Sequence, residues 1–122
     1  MEEIINFAHL IKVDVEGFEI KVLNGAEKVL NDQRANALII EMVSFEEWEK
    51  IKNDALKFLI NKKFLPYKYN PIHRSLENLT LDSIIITNTL FIRDINLARK
   101  KVRAAPKINA FGTNFWKILK KT

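Results

Sequence analysis

Two short, apolar, β-branched runs, each closing on an acid, constrain this chain more than any other feature. Leu10-Ile11-Lys12-Val13-Asp14-Val15 is brief and nearly apolar, as a parallel strand buried on both faces is. Ala37-Leu38-Ile39-Ile40-Glu41-Met42-Val43 repeats the pattern. Between them Glu16-Gly17 turns the chain. From Phe18 the apolar positions 18, 22, 23, 26, 29 and 30 then recur at helical spacing, running out near Asn31-Asp32. Gly25 inside that helix costs about 1 kcal/mol relative to Ala, so it is expected where the helix presses closely on a sheet.

The alternation continues. Ser44 reads as an N-cap, with Glu46 and Glu47 in the first turn where the helix dipole favours acids. That helix runs over 45–62 through Trp48, Ile51, Leu56, Leu59 and Ile60. Phe64 to Tyr69 forms a third, weaker strand, which Pro66 assigns to a sheet edge. A polar stretch precedes two strand candidates, Ser83 to Thr87 and Thr89 to Arg93. A helix from Asn96 to Ala105 then stops at Pro106, and Ile118-Leu119 suit one further turn. Strands alternating with helices predict an α/β fold with a mostly parallel sheet.

In such sheets ligands bind outside the carboxyl ends of the strands. Side chains alternate along a strand, so Lys12, Asp14 and Glu16 share one face while Ile11, Val13 and Val15 share the other. An acid in a buried apolar strand is costly unless hydrogen-bonded, ion-paired or ligand-bound. Asp14 is therefore the most informative residue. Either Asp14 and Glu16 cap the next helix or pair with Lys12, or they face a site; Glu41 has the same two readings.

Ile11-Lys12-Val13-Asp14-Val15-Glu16-Gly17-Phe18-Glu19, followed by Val22-Leu23-Asn24-Gly25-Ala26, resembles the signature stretch of FkbM-type methyltransferases. In that family it forms the fourth strand and the helix after it, and Leu38-Ile39-Ile40-Glu41 resembles the fifth strand. The resemblance is strongest over residues 10–43. It implies the C-terminal half of a Rossmann-like methyltransferase domain over residues 1–94, with residues 95–122 as a basic helical tail. It also implies S-adenosylmethionine as cofactor, a hydroxyl of a sugar or secondary metabolite as acceptor, and Asp14, Glu16 and Glu41 lining the acceptor side. Asp14 would then orient or deprotonate the attacking hydroxyl and Glu41 would hold the acceptor.

The family's glycine-rich turn and ribose-binding acid would precede Leu10. Gly17, Gly25 and Gly112 are too scattered to form such a loop. The chain alone is expected to bind the cofactor weakly and to be inactive. Its Leu10–Val15 strand is expected to offer an edge to a complementary N-terminal half or to a second copy.

Charge is unevenly spread. Residues 1–94 hold twelve Lys/Arg against fifteen Asp/Glu, whereas residues 95–122 hold eight basic residues and no acid. With Phe111, Phe115 and Trp116, the tail offers a rival reading: a non-catalytic remnant or interaction module binding nucleic acid or an anionic surface. No nucleic-acid module accompanies it, which favours a solvated face. Cysteine is absent, which excludes disulfides and thiolate chemistry. No apolar run approaches the roughly 18 residues of a membrane span, and acidic Glu2-Glu3 is unlike a secretory leader; a cytoplasmic setting is expected. His9 and His73 lack metal-ligand spacing.

Overall fold

The structure is a computed structural model that describes residues 8–42, 49–84 and 87–106. Ser44, Glu46, Glu47, Trp48, Gly112 and the Phe111–Leu119 segment lie outside them. Five strands and four helices follow in the order β1 (Leu10–Val13), α1 (Glu19–Gly25), α2 (Glu27–Leu30), β2 (Ala37–Met42), α3 (Glu49–Asn61), β3 (Leu65–Asn70), β4 (Ser75–Asn78), β5 (Thr87–Ile92) and α4 (Ile95–Ala104). All five strands join one sheet, ordered β1-β2-β5-β3-β4.

The fold is mixed α/β, but the sheet is not mostly parallel. Only β1 and β2 pair in parallel, while β5 runs antiparallel to both β2 and β3, and β4 antiparallel to β3. The cause is the late strand β5, which returns through the middle of the sheet. Because β5 opposes both neighbours, β3 still runs in the direction of β2.

Register sorts the side chains into two faces. Ile11, Leu38 and Phe91 form one cross-strand row, and Val13, Ile40 and Thr89 the next. On this face α1, α2 and α3 close the main core: Leu23, Leu30, Ala55, Leu56 and Leu59 pack with Val13, Leu38, Ile40, Phe64 and Phe91. The opposite face carries Ile92 and Tyr67, against which Ile95, Ala98 and Val102 of α4 pack. Helices thus cover both faces, as an α/β sheet requires.

Several expectations change. Pro66 is buried inside β3, between β5 and β4, so β3 is not an edge strand. Its missing N–H is tolerated because pairing with β4 begins only at Tyr67, and its carbonyl accepts from Leu79 N–H at 3.3 Å. The polar stretch after β3 folds back as β4, and Leu81–Ser83 is a 3-10 turn, which removes Ser83 from the expected strand. Gly25 does not press on the sheet: it is exposed, and a Cβ there would meet nothing within 4 Å. The helix bends there instead, with Ala26 N–H still bonded to Val22 O at 2.9 Å.

Arg93 holds the ends of three elements together. Its guanidinium donates to Lys62 O after α3 at 3.2 Å, to Asp32 O and Ala35 O at 3.1 Å each, and to Leu30 O at the end of α2. The same group lies over the Phe64 ring, 4.2 Å from its centroid. Helix carbonyls that lack an intrahelical partner are satisfied by one fork. Beside it Asn36, itself buried, exchanges two hydrogen bonds with the Asp94 backbone.

Candidate functional site

The site begins at the carboxyl ends of β1 and β2. Val13 and Ile40 are register partners, so Asp14 and Glu41, the next residue on each strand, leave the pair side by side at one edge of the sheet. Val13 is buried and Ile11 and Val15 pack on the main core, while Lys12 and Asp14 are exposed. Glu41 is half-buried, and its antiparallel partner is Asn88 of β5. Alternation therefore puts Lys12, Asp14, Glu41 and Asn88 on one face.

The turn after β1 is built to end the strand abruptly. Phe18 N–H bonds to Val15 O at 3.2 Å, closing a β-turn whose central residues Glu16 and Gly17 both have positive φ, 30° and 90°. Glu16, a non-glycine residue in that region, is held there against its preference. The restraint is Glu19, 4% exposed, whose carboxylate accepts Gly17 N–H at 3.0 Å. Neither periodicity nor strand alternation gives Glu19 a role. Its signal was present in hindsight: an acid two residues beyond a glycine turn, at the first position of a helix.

Neither capping nor pairing with Lys12 accounts for Asp14 and Glu16 among the described residues. The N-cap of α1 is Phe18 and receives no side-chain cap bond, so neither Asp14 nor Glu16 caps the helix. The ion pairs among the described residues join Arg34 to Asp32, Lys52 to Glu49 and Lys62 to Glu27, and do not include Lys12 with Asp14. Asp14 and Glu16 are both exposed at the strand edge. Asp14, Glu16 and Glu41 thus gather at one end of the parallel pair.

Beside Glu41 lies a cleft of about 630 Å³, lined by Ile39, Tyr67, Tyr69, Asn88 and Leu90 among others. The three acids border its end of the sheet without lining it. Nothing in the sequence announced this cleft, because it depends on β5 entering between β2 and β3.

A family model described as the methyltransferase FkbM domain matches residues 1–69, the N-terminal part of this chain and more than half of it. The chain belongs to the FkbM methyltransferase family. The matched stretch contains β1, β2, all of β3 but Asn70, and all three acids. No curated protein and no solved structure shows a significant match to the chain.

Membership of the FkbM family makes S-adenosylmethionine the general expectation for the methyl donor. The turn at the end of β1 does not fit its binding. The glycine turn at the end of β1 has its Gly17 and Phe18 N–H groups already committed to Glu19 and Val15, leaving no backbone cradle of the kind that holds such a ligand. No cluster of metal-ligating side chains occurs among the described residues. No helix among them is long and apolar enough to cross a membrane.

Proposed function

We propose that this chain carries the acceptor side of an S-adenosylmethionine-dependent O-methyltransferase, acting on a hydroxyl of a sugar or secondary metabolite. The observation that supports it most is the Val13–Ile40 register, which brings two acids together at the ligand-binding end of a parallel pair. Asp14, exposed and free of the helix cap, would accept a hydrogen bond from the acceptor hydroxyl and take its proton. Glu41, one strand over, holds the acceptor by a second hydrogen bond. Glu16 borders the same space from the turn. Positioning and proton transfer together are the catalytic work a carboxylate offers this reaction.

The methyl donor supplies the group transferred and is held outside the described residues. β1 pairs on one side only among them, and Leu10 is 56% exposed. In this reading, that open edge receives the cofactor-binding strands of a Rossmann-like sheet. The test is methyl transfer from radiolabelled S-adenosylmethionine by the complete enzyme carrying Asp14→Asn. Loss of about 10²–10⁴ in kcat is expected of a missing general base. An unchanged rate in a folded variant removes Asp14 from the reaction.

A further inference from the structure

β4 ends the strand order of the sheet, and α4 runs alongside it. Leu79 N–H bonds Pro66 O, so alternation turns the backbone groups of Glu77 and Ser75 toward β3 and those of Leu76 away from it. The Leu76 carbonyl accepts Arg99 of α4 at 3.3 Å, and the Leu76 N–H faces the same way. Between β4 and α4 lies a cavity of about 330 Å³, with His73, Arg74, Leu76, Arg99, Val102 and Arg103 among its walls.

Three guanidinium groups around one small cavity repel each other unless something answers their charge. Arg99 and Arg103 stand four residues apart on one face of α4, a spacing at which like charges destabilise a helix. Arg74 joins them from the turn between β3 and β4. It holds φ 50°, which a non-glycine residue adopts reluctantly. Its guanidinium donates to Val102 O at 2.9 Å and to Ala105 O, carbonyls at the end of α4 that lack an intrahelical partner. Arg74 therefore fixes the wall, and Arg99 and Arg103 are left to meet an occupant.

Arg99 spends one N–H group on Leu76, and neither Arg99 nor Arg103 has an ion pair among the described residues. Glu77, the acid nearest in sequence, takes the opposite face of β4 from Leu76 and is engaged by Asn70 Nδ2 at 3.1 Å. Residues 107–122, which follow α4, hold four lysines and no Asp or Glu, so they bring no side-chain carboxylate to the cavity. Arginine, rather than lysine, carries the planar fork that matches phosphate oxygens two at a time.

We propose that this cavity binds the phosphate group of a small phosphate ester. Arg99 and Arg103 hold the phosphate oxygens, the Leu76 N–H adds a donor beside them, and Arg74 is the positioning residue that ties α4 to the turn. The cavity is at the small end of ligand sites, which suits a phosphorylated sugar or polyol. This binding does not depend on the methyltransferase reading.

The test is an NMR titration of the isotope-labelled full chain with glucose 6-phosphate at constant ionic strength. Shifts are expected at the Leu76 amide and at the Nε–H groups of Arg99 and Arg103, and glucose is expected to cause none. Arg103 is exposed, so Arg103→Gln is expected to keep the dispersed spectrum of the parent while affinity falls at least about tenfold, the loss of a charged hydrogen bond. Lys100→Gln and Lys101→Gln remove the same charge from neighbouring exposed positions of α4, and each is expected to change affinity less than about twofold because solvent and salt screen them. Inorganic phosphate is expected to bind the same residues more weakly than the ester. Unchanged affinity in Arg103→Gln, or shifts confined to other surfaces, would overturn the proposal. Equal losses in all three variants would overturn it too, since they would mark a diffuse basic surface. Tighter binding of inorganic phosphate than of glucose 6-phosphate would reject the ester.

Discussion

Val13 and Ile40 face each other across the parallel pair β1–β2. Everything catalytic in the proposal follows from that register, because a slip of one residue would send Asp14 and Glu41 to opposite faces. Their proximity gives them different tasks to perform. Glu41→Gln is expected to raise the acceptor KM about tenfold, the loss of one hydrogen bond to a charged group, with kcat nearly unchanged. Asp14→Asn is expected to act on kcat instead. Steady-state methyl-transfer kinetics on both variants separate these effects, and identical kcat losses would mean that the division of labour is wrong.

The two glycines of the first helical unit predict opposite outcomes. Gly17 sits at φ 90° in the turn that ends β1. Gly17→Ala is expected to cost about 1–2 kcal/mol, because an L-residue resists that backbone region. Gly25 is helical, exposed and has open space where a Cβ would go. Gly25→Ala is expected to add about 0.5–1 kcal/mol. Thermal melts would register each as a shift of about 4 °C per kcal/mol, downward for Gly17 and upward for Gly25.

How much of this was legible beforehand depended on how local each feature was. Leu10–Val13, Ala37–Met42 and the helices through Leu56 and Ala98 follow from periodicity. Pro66 misled because its rule concerns a hydrogen-bond side, and only the late start of β4 shows which side is free. Gly25 misled because its cost was visible and its surroundings were not. The cleft at Asn88 and the Arg93 fork involve partners about 20 to 63 residues apart, set by where β5 inserts. No spacing rule reaches that far.

Arg93 carries a structural prediction. Four carbonyls on three segments share its guanidinium, and Phe64 packs on its plane. Burial pushes its pKa below the usual arginine value, with the Asp32 charge opposing that shift. An ammonium cannot reproduce a planar fork with five donors. Arg93→Lys is therefore expected to destabilise by about 2–3 kcal/mol, since several part-buried carbonyls lose their donor. Urea unfolding with an unchanged m-value would measure it; a cost within about 0.5 kcal/mol would show that water replaces the fork.

Acid should release a different contact on the same corner of the molecule. Arg34 grips Asp32 through its side chain at 2.7–3.2 Å and through its own N–H at 2.9 Å. These hydrogen bonds hold the Asp32 carboxyl at a pKa of about 2, below its ordinary 3.8. A carboxylate whose pKa is lowered by folding stabilises the native state fully above the unfolded value, and that contribution fades as pH falls from about 4 to about 2. The Asp32→Asn variant lacks the titrating group, so its stability should fall less steeply than the parent's across that window. Denaturant melts at pH 4, 3 and 2 would expose the difference. Parallel acid limbs in the two proteins would mean that the Arg34 grip does not persist in solution.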